Sequence, residues 1–417
     1  MPNRSQAPTL SVMLPWYGIT TPISWDRPQE DHLIQTAKLL DTMKSYSVYE
    51  SSLQLERAVK RLGLLFRKWL KEISKEMNVS DIMIDKVGGK IFPFGSYHLG
   101  VHSKDADINA LCVGPGFLER KEVKDIQANE EAYVPVIKLS WEGIEVIWLD
   151  NKFKKLSASS VPDDLDLLND SIVKDMDERC VRSLDGYRVT EEIPRLVPNV
   201  YSFKTALRAI RLWAKYELNK QSFELMGFLG GVSWAIMVAR ICQVYPNAAA
   251  STLVIKFFKV FSMWVWPVPI RLKVVENCYY NLPFWNPRVN VSDCYHLMPV
   301  ISPAYPQQNT SANVSLSTFA IINEEIRRGH AICQEIEQKK ANWRKLFEEM
   351  DFFDKYQYVL SHVKIQMSVP CQAESTCCHA AQLTSRWPPR RTFCICEACH
   401  QPSAPQVQKN IMNRNLS

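Results

Sequence analysis

Apolar positions follow a helical spacing in one long segment near the N-terminus. From Leu53 to Met77 they recur every three or four residues, and lysines and arginines lie between them. This pattern predicts an amphipathic helix with one stripe facing the core. Its basic face is more typical of a solvated surface than of a ligand site. The predicted stripe comprises Leu55, Val59, Leu62, Phe66, Trp69 and Ile73.

The next hundred residues contain short apolar runs that predict strands. One run ends at Phe94, Gly95-Ser96 turns the chain, and a second run begins at Asp107. Two further runs, VPVIKL and IEVIWL, flank Glu142-Gly143 and predict a hairpin. We expect the IEVIWL strand to lie beside the strand that begins at Asp107.

Helical patterns account for most of the remaining chain. The Gly230-Gly231 pair precedes one apolar helix, and such an N-terminus accepts either a phosphate group or a closely packed neighbour. The segments predicted as helical are His32–Met43, Leu165–Asp177, Asn199–Tyr216, Gly227–Pro246, Ala248–Trp264 and Ser317–Met350, the last as one long helix or a helix pair.

The segment from Ser361 onward loses hydrophobic periodicity and holds half of the cysteines. Cys396-x2-Cys399 together with Cys377-Cys378-His379 has the spacing of a zinc site. Cys396-x2-Cys399-His400 also fits a haem-attachment pattern. Because no core-forming pattern accompanies these cysteines, a disordered tail is the main prediction and the two metal sites are alternatives.

Composition narrows the class of protein. The chain has 417 residues, of which 46% are hydrophobic, and this predicts two or three globular domains. The formal net charge of +6 permits a polyanionic partner without requiring one. No apolar run approaches 18 residues, so no membrane span is expected. Cysteines without a preceding signal peptide are typical of a reducing compartment.

The Gly95-Ser96 turn and the strand after it are the main candidate for chemistry. A Gly-Ser turn exposes backbone N–H groups and a hydroxyl to a triphosphate. Asp107 and residue 109 are two apart, so on a strand their side chains leave the same face. Two carboxylates at this spacing hold Mg²⁺ together with substrate phosphates. Here the second position is Asn109.

Several long blocks give the chain a family resemblance. They are FGSYHLGVHSKDADINALCV, VPVIKLSWEGIEV, RCVRSLDGYRVT, LRAIRLWAK, GFLGGVSWAIMVARICQVYPNAAASTLV and HLMPVISPAYPQQN. From about Tyr17 to Tyr358 the chain resembles the nuclear poly(A) polymerases of animals, as a divergent copy that is truncated at its C-terminus. The resemblance implies an α+β fold: a DNA polymerase beta-like nucleotidyltransferase domain, a helical central domain and a truncated RNA-recognition-like domain.

The resemblance also implies domain limits. Residues 17–50 would be the N-terminal segment of the central domain, and residues 51–155 the catalytic nucleotidyltransferase domain. Residues 156–330 would form the rest of the central domain. Residues 331–360 would begin the truncated RNA-binding domain, and residues 361–417 would be the cysteine-containing tail.

The family transfers AMP from ATP to RNA 3′ ends by a two-metal mechanism, and the resemblance implies which positions serve it here. The metal carboxylates would fall on Asp107, Asn109 and Ile147, so two of three aspartates are replaced. Asp105 or Glu145 could compensate for them. The implied nucleotide contacts are Phe94, Gly95, Ser96, Ser103, Arg211, Gly231 and Val232, where Ser103 replaces a threonine and Arg211 a lysine.

These replacements predict a weak or absent activity. Mg²⁺ or Mn²⁺ would be held weakly by Asp107, with Asn109 as a further ligand, and ATP would be the substrate. The partners implied are an RNA 3′ end and mRNA 3′-processing factors, for a monomer in the nucleus or, without the family's import signals, in the cytoplasm. Three interpretations stay open: a weak polymerase, a catalytically dead protein that binds ATP, RNA or processing factors, and a decayed duplicate.

Overall fold

The fold is known from a computed structural model. It describes residues 18–46, 53–85, 87–102, 108–114, 128–129, 136–141, 144–152, 165–174, 176, 178–217, 227–274, 280 and 282–348. These residues lie in one compact unit, residues 1–352. The cysteine-containing tail and its two possible metal sites lie outside the described residues.

A five-stranded mixed sheet forms the N-terminal part. Its strands are β1 (Lys90–Phe94), β2 (Ile108–Gly114), β3 (Ala128–Asn129), β4 (Val136–Trp141) and β5 (Ile144–Lys152). They are ordered β1-β2-β5-β4-β3, and β2 and β5 are parallel while the other neighbouring pairs are antiparallel. The predicted β4–β5 hairpin and the place of β5 beside β2 are therefore confirmed.

Helices surround the sheet and form the C-terminal part. Their bounds are α1 (Glu30–Ser45), α2 (Leu53–Glu76), α3 (Asp81–Ile84), α4 (Gly95–His98), α5 (Glu178–Arg195), α6 (Val200–Glu217), α7 (Gly231–Val244), α8 (Ala250–Ser262) and α9 (Leu316–Glu337). The predicted helices that correspond to α1, α2, α6, α7 and α8 are confirmed. No helix in the described ranges has the length and apolar character that crossing a membrane requires.

Strand β2 is buried on both faces because helices cover both sides of the sheet. Ile108 and Ala110 pack with the apolar stripe of α2. Leu111 and Val113 pack on the other side, against a cluster that includes Leu184 of α5. This double burial explains why the run after residue 107 is continuously apolar and does not alternate.

The helical part has its own aromatic core. Helix α7 is buried from Ser233 to Val244. Trp213 of α6 packs edge-on against Phe258 of α8, with ring centroids 4.9 Å apart, and against Trp234 at 5.7 Å. These contacts between α6, α7 and α8 give the C-terminal part a core that does not involve the sheet.

Two predicted helices were wrong in extent. Within Leu165–Asp177 the described residues hold only a 3₁₀ turn, Asp170–Val173. The side chains of Asp166 and Asn169 accept hydrogen bonds from the backbone amides of Leu168 and Ser171, respectively. Such local side-chain hydrogen bonds compete with those of an α-helix. The helix predicted over Ser317–Met350 ends at Glu337.

The end of α9 has a local cause. Lys339 adopts a positive φ of 59°, which stops an α-helix, and a 3₁₀ turn, Trp343–Phe347, follows. Helix α9 itself runs across the predicted domain limit between residues 330 and 331. The other domain limits fall where the structure gives no test of them, and all the limits remain predictions.

Candidate functional site

The Gly-Ser turn lies where β1 ends and α4 begins. Gly95 has a φ of +70°, which disfavours any other residue. A β-carbon at Gly95 would lie 2.9 Å from the Asn109 side-chain nitrogen Nδ2, so β2 approaches the turn closely. Both the backbone conformation and the lack of space therefore require glycine here.

Helix α5 holds the turn in place. The Gly95 amide donates to Thr190 Oγ1 at 3.1 Å, and the Thr190 hydroxyl donates to the Gly186 carbonyl at 2.7 Å. A β-carbon at Gly186 would lie 2.8 Å from the Phe94 ring, so this ring packs directly on the helix backbone. The turn is thus fixed by contacts between segments about 95 residues apart in sequence.

Two arginines of α6 hold the segment that follows the turn. Arg208 donates to the Gly100 carbonyl, and Arg211 Nη1 donates to the Val101 carbonyl at 3.1 Å. Burial, followed by the charges of Arg208 and Arg211, lowers the pKa of His102. A neutral His102 adds no charge to the two guanidinium groups, and their field favours an anionic ligand near this segment.

The N-terminus of α7 is open to solvent. Gly230 is the N-cap, Gly231 is exposed, and a β-carbon at Gly231 would meet no atom within 4 Å. Val232 is half-buried. Helix α4, which begins at the Gly-Ser turn, contacts α7. Amides at such an N-terminus attract phosphate oxygens.

The sheet register places two of the three implied metal-ligand positions side by side. Asn109 of β2 is the Cα partner of Ile147 of β5, and on its other side it partners Phe94 of β1. Asp107 and Ser103 lie outside the described residues, so their place in this arrangement stays a prediction.

The residues at these positions do not suit a Mg²⁺ ion. Asn109 offers a neutral amide, and an isoleucine at position 147 supplies hydrocarbon only. Mg²⁺ prefers anionic oxygen ligands. The described ranges also contain no cluster of three or more His, Cys, Asp or Glu side chains that could hold a metal.

Sequence analysis missed the residues that hold the turn and the segment after it. Thr190 and Gly186 lie on α5, a helix that the periodicity did not predict because it buries polar residues such as Ser183 and Arg188. The block RCVRSLDGYRVT contributed to the resemblance without indicating a helix. Arg208 lies three residues before Arg211 on α6, and this helical spacing was an available signal.

Comparison with known proteins agrees with this architecture. Two family models match: the poly(A) polymerase nucleotidyltransferase domain over residues 18–197, and the poly(A) polymerase central domain over residues 202–349. Nuclear poly(A) polymerase 2 of Arabidopsis thaliana is 40% identical over 362 residues, which cover 82% of this chain and 45% of that protein. Nuclear poly(A) polymerase 1 of Arabidopsis thaliana is 41% identical, with 82% and 50% covered. The chain spans about half the length of these curated relatives.

Solved structures show the same fold at low identity. A crystal structure of the Cid1 poly(U) polymerase with Mg 3′-dATP bound has a TM-score of 0.52 and 13% identity, and covers 76% of this chain and 100% of that one. Cid1 in complex with its short product ApU gives a TM-score of 0.50 over 76% of this chain. The predicted nucleotidyltransferase fold with a helical central domain is therefore confirmed, and the chain belongs to the poly(A) polymerase family.

Proposed function

We propose that this chain binds ATP and RNA 3′ ends as poly(A) polymerases do, and that its AMP transfer, the reaction of mRNA polyadenylation, is weak or lost. The observation that carries the proposal is the pairing of Asn109 with Ile147 on adjacent strands. A site that was built for carboxylates at both positions retains neither. The nuclear relatives support a nuclear location, and we propose a monomer that contacts 3′-processing factors.

ATP binding is supported by the parts of the site that are retained. Gly95 and Ser96 begin a short helix beside β1, and Gly231 leaves open space at the start of α7. Arg211 supplies a cation beside the segment that leads to Ser103. Apart from the Gly95 amide, which already donates to Thr190, these groups suit a triphosphate through backbone amides, a hydroxyl and a guanidinium. Phe94, Ser103 and Val232 complete the proposed nucleotide contacts.

Weak turnover follows from the lost carboxylates. If the loss of one carboxylate raises the activation barrier for AMP transfer by roughly 3 to 5 kcal/mol, it slows the reaction by a factor of about 10² to 10⁴. ATP affinity should fall less, because the carboxylates also repelled the triphosphate. We expect a Kd on the order of 0.1 to 1 mM, or about 4 to 5.5 kcal/mol of binding free energy.

A catalytically dead ATP- or RNA-binding protein is the second candidate. One contact favours it, because the Asn109 side-chain amide lies against Gly95. A β-carbon built at Gly95 would be nearest to the Nδ2 atom of Asn109. An amide there can donate a hydrogen bond to a phosphate oxygen, whereas a carboxylate would repel it. Asn109 therefore suits phosphate binding better than metal binding.

The test is primer extension with ATP and Mg²⁺ or Mn²⁺, combined with calorimetric titration of ATP. The chain is compared with the double variant Asn109→Asp, Ile147→Asp, and with Arg211→Ala as a control that should weaken ATP binding in either background. We expect slight extension by the natural chain and a gain of at least about 10² in the double variant.

Two results would contradict the proposal. Efficient extension by the natural chain would mean that Asp105 or Glu145 has rebuilt a metal site. No detectable ATP binding, at concentrations well above 1 mM, would mean that the remaining turn and helix contacts do not form a nucleotide site. Extension by the double variant alone would favour the dead-protein candidate.

A further inference from the structure

The solvent face of α2 is strongly basic. Over its 24 residues the helix carries seven basic and three acidic side chains. The basic side chains are all exposed, at Arg57, Lys60, Arg61, Arg67, Lys68, Lys71 and Lys75. From Arg57 to Lys75 they extend over about 27 Å, at 1.5 Å per residue. A large part of the chain's net charge of +6 is thus concentrated on one helix face.

Two leucines interrupt this basic face near its middle. Leu64 is 62% exposed and Leu65 is 48% exposed. Lys60 and Arg61 precede them by one turn, and Arg67 and Lys68 follow within one turn. The apolar stripe of α2 is already buried against the sheet, so these leucines are not needed for the core. Adjacent exposed leucines within a charged surface are a candidate contact site.

This face is separated from the proposed nucleotide site. Ile108 and Ala110 of β2 pack with α2, and Leu111 packs on the opposite side of the sheet with Phe94. Residues alternate between the faces of a strand, so Asn109 shares the side of Leu111. The apolar stripe of α2 therefore covers the side of β2 opposite Asn109, and the outer face of α2 points away from the sheet.

We propose that the outer face of α2 is a docking site for an acidic, leucine-containing segment of a partner protein. The Leu64–Leu65 pair would be the apolar centre of the contact, and the basic side chains would form its charged rim. The length of the face matches an 18-residue helix, or about eight residues in extended form.

The leucines favour a peptide over RNA. Single-stranded nucleic acids bind where cations accompany aromatic side chains that stack on bases. The exposed apolar side chains of this face are aliphatic, and Trp69 is half-buried and stacked on Phe66 at 6.0 Å. An aliphatic pair has a natural partner in the leucines of an amphipathic peptide.

The test measures peptide binding to the full chain by fluorescence anisotropy. The probe is an 18-residue labelled peptide of Glu and Asp with Leu-Leu at its centre, compared with the same peptide carrying Ser-Ser. The two α2 variants are Lys60→Glu with Lys71→Glu, and Leu64→Ser with Leu65→Ser. All four positions are exposed, so circular dichroism and unfolding midpoints should match those of the natural chain.

Helix α1 offers matched controls. Leu33 and Ile34 are also adjacent exposed apolar residues, at 54% and 44%. Lys38 and Lys44 are exposed on the same helix. The variants Leu33→Ser with Ile34→Ser, and Lys38→Glu with Lys44→Glu, make equal changes in polarity and charge away from α2.

We expect each α2 variant to raise the Kd of the Leu-Leu peptide about tenfold, and the α1 variants to change it less than about twofold. Binding should weaken between 50 and 300 mM salt because the charges are exposed. Equal binding of the Ser-Ser peptide, or equal effects of the α1 and α2 variants, would overturn the proposal. The proposal would also be overturned if a 15-nucleotide oligoadenylate displaced the peptide and if the α2 substitutions weakened the binding of the oligoadenylate itself. That result would identify an RNA-binding surface.

Discussion

Asp185 on α5 gives a quantitative prediction about stability. Its Oδ1 atom is buried and has no hydrogen-bond partner among the described residues. Burial raises the pKa of Asp185 from 3.8 to about 7; Arg188 lowers it and Glu192 raises it further. The folded protein therefore keeps a proton on this carboxyl at pH values where the unfolded chain has released it.

The sign of the pH dependence follows directly. The stability that a protonated Asp185 provides is fully present below pH 3.8 and is lost as the pH rises toward about 7, above which the loss is constant. At about 1.4 kcal/mol per pH unit the total loss is at most about 4 kcal/mol. The residue as a whole is half-buried, so we expect about 1 to 3 kcal/mol.

Asp185→Asn should remove this loss, because asparagine stays neutral at every pH. The quantity to compare is the free energy of unfolding of the variant minus that of the natural chain. We expect this difference to be about 1 to 3 kcal/mol more favourable to the variant at pH 7.5 than at pH 4.5. Urea titrations at four pH values between 4.5 and 8.5 measure this. Histidine titration is common to both proteins and cancels in the difference.

The control is Asp41→Asn, which changes an exposed carboxylate on α1. It should show no comparable gain as the pH rises. A difference between Asp185→Asn and the natural chain that is the same at pH 4.5 and 7.5 would refute the reasoning, because it would mean that Asp185 is ionised in the folded state throughout.

Two further predictions concern stability at neutral pH, both measured by urea unfolding. Gly95→Ala should lower the free energy of unfolding by about 1 to 2 kcal/mol, because it forces a positive φ on alanine and crowds the Asn109 side chain. Its control, Gly63→Ala, is in an open helical position and should raise the free energy of unfolding by up to about 1 kcal/mol. Equal effects at both glycines would contradict this account. Arg328→Met should lose about 2 to 4 kcal/mol, because Arg328 Nε donates at 2.7 Å to the fully buried Glu325 carboxylate; a loss below about 0.5 kcal/mol would mean that the pair is not needed.

The polar contacts that position the site could not be predicted from local pattern. Helix α5 is polar on several faces, so its apolar periodicity is weak, yet Thr190 is 2% exposed and holds the Gly95 amide. Burial of a polar side chain depends on which distant segment supplies its partner. Hydrophobic periodicity reports only which face of a single element leaves water.

The sequence by itself determined the elements whose burial is one-sided or continuous. The stripe of α2, the apolar run of β2 and the β4–β5 hairpin are all present as predicted. It also determined the family, and it showed that positions 109 and 147 carry no carboxylate. Such features depend on residue type and spacing within one segment.

Only the tertiary structure decided the register and the orientation of the helix faces. The parallel pairing of β2 with β5 makes Asn109 the neighbour of Ile147, although 38 residues separate them in sequence. The packing of α2 behind the sheet leaves Leu64 and Leu65 exposed on the side away from Asn109. Both outcomes depend on how separate segments pack together, because each segment's own pattern is compatible with several registers and neighbours.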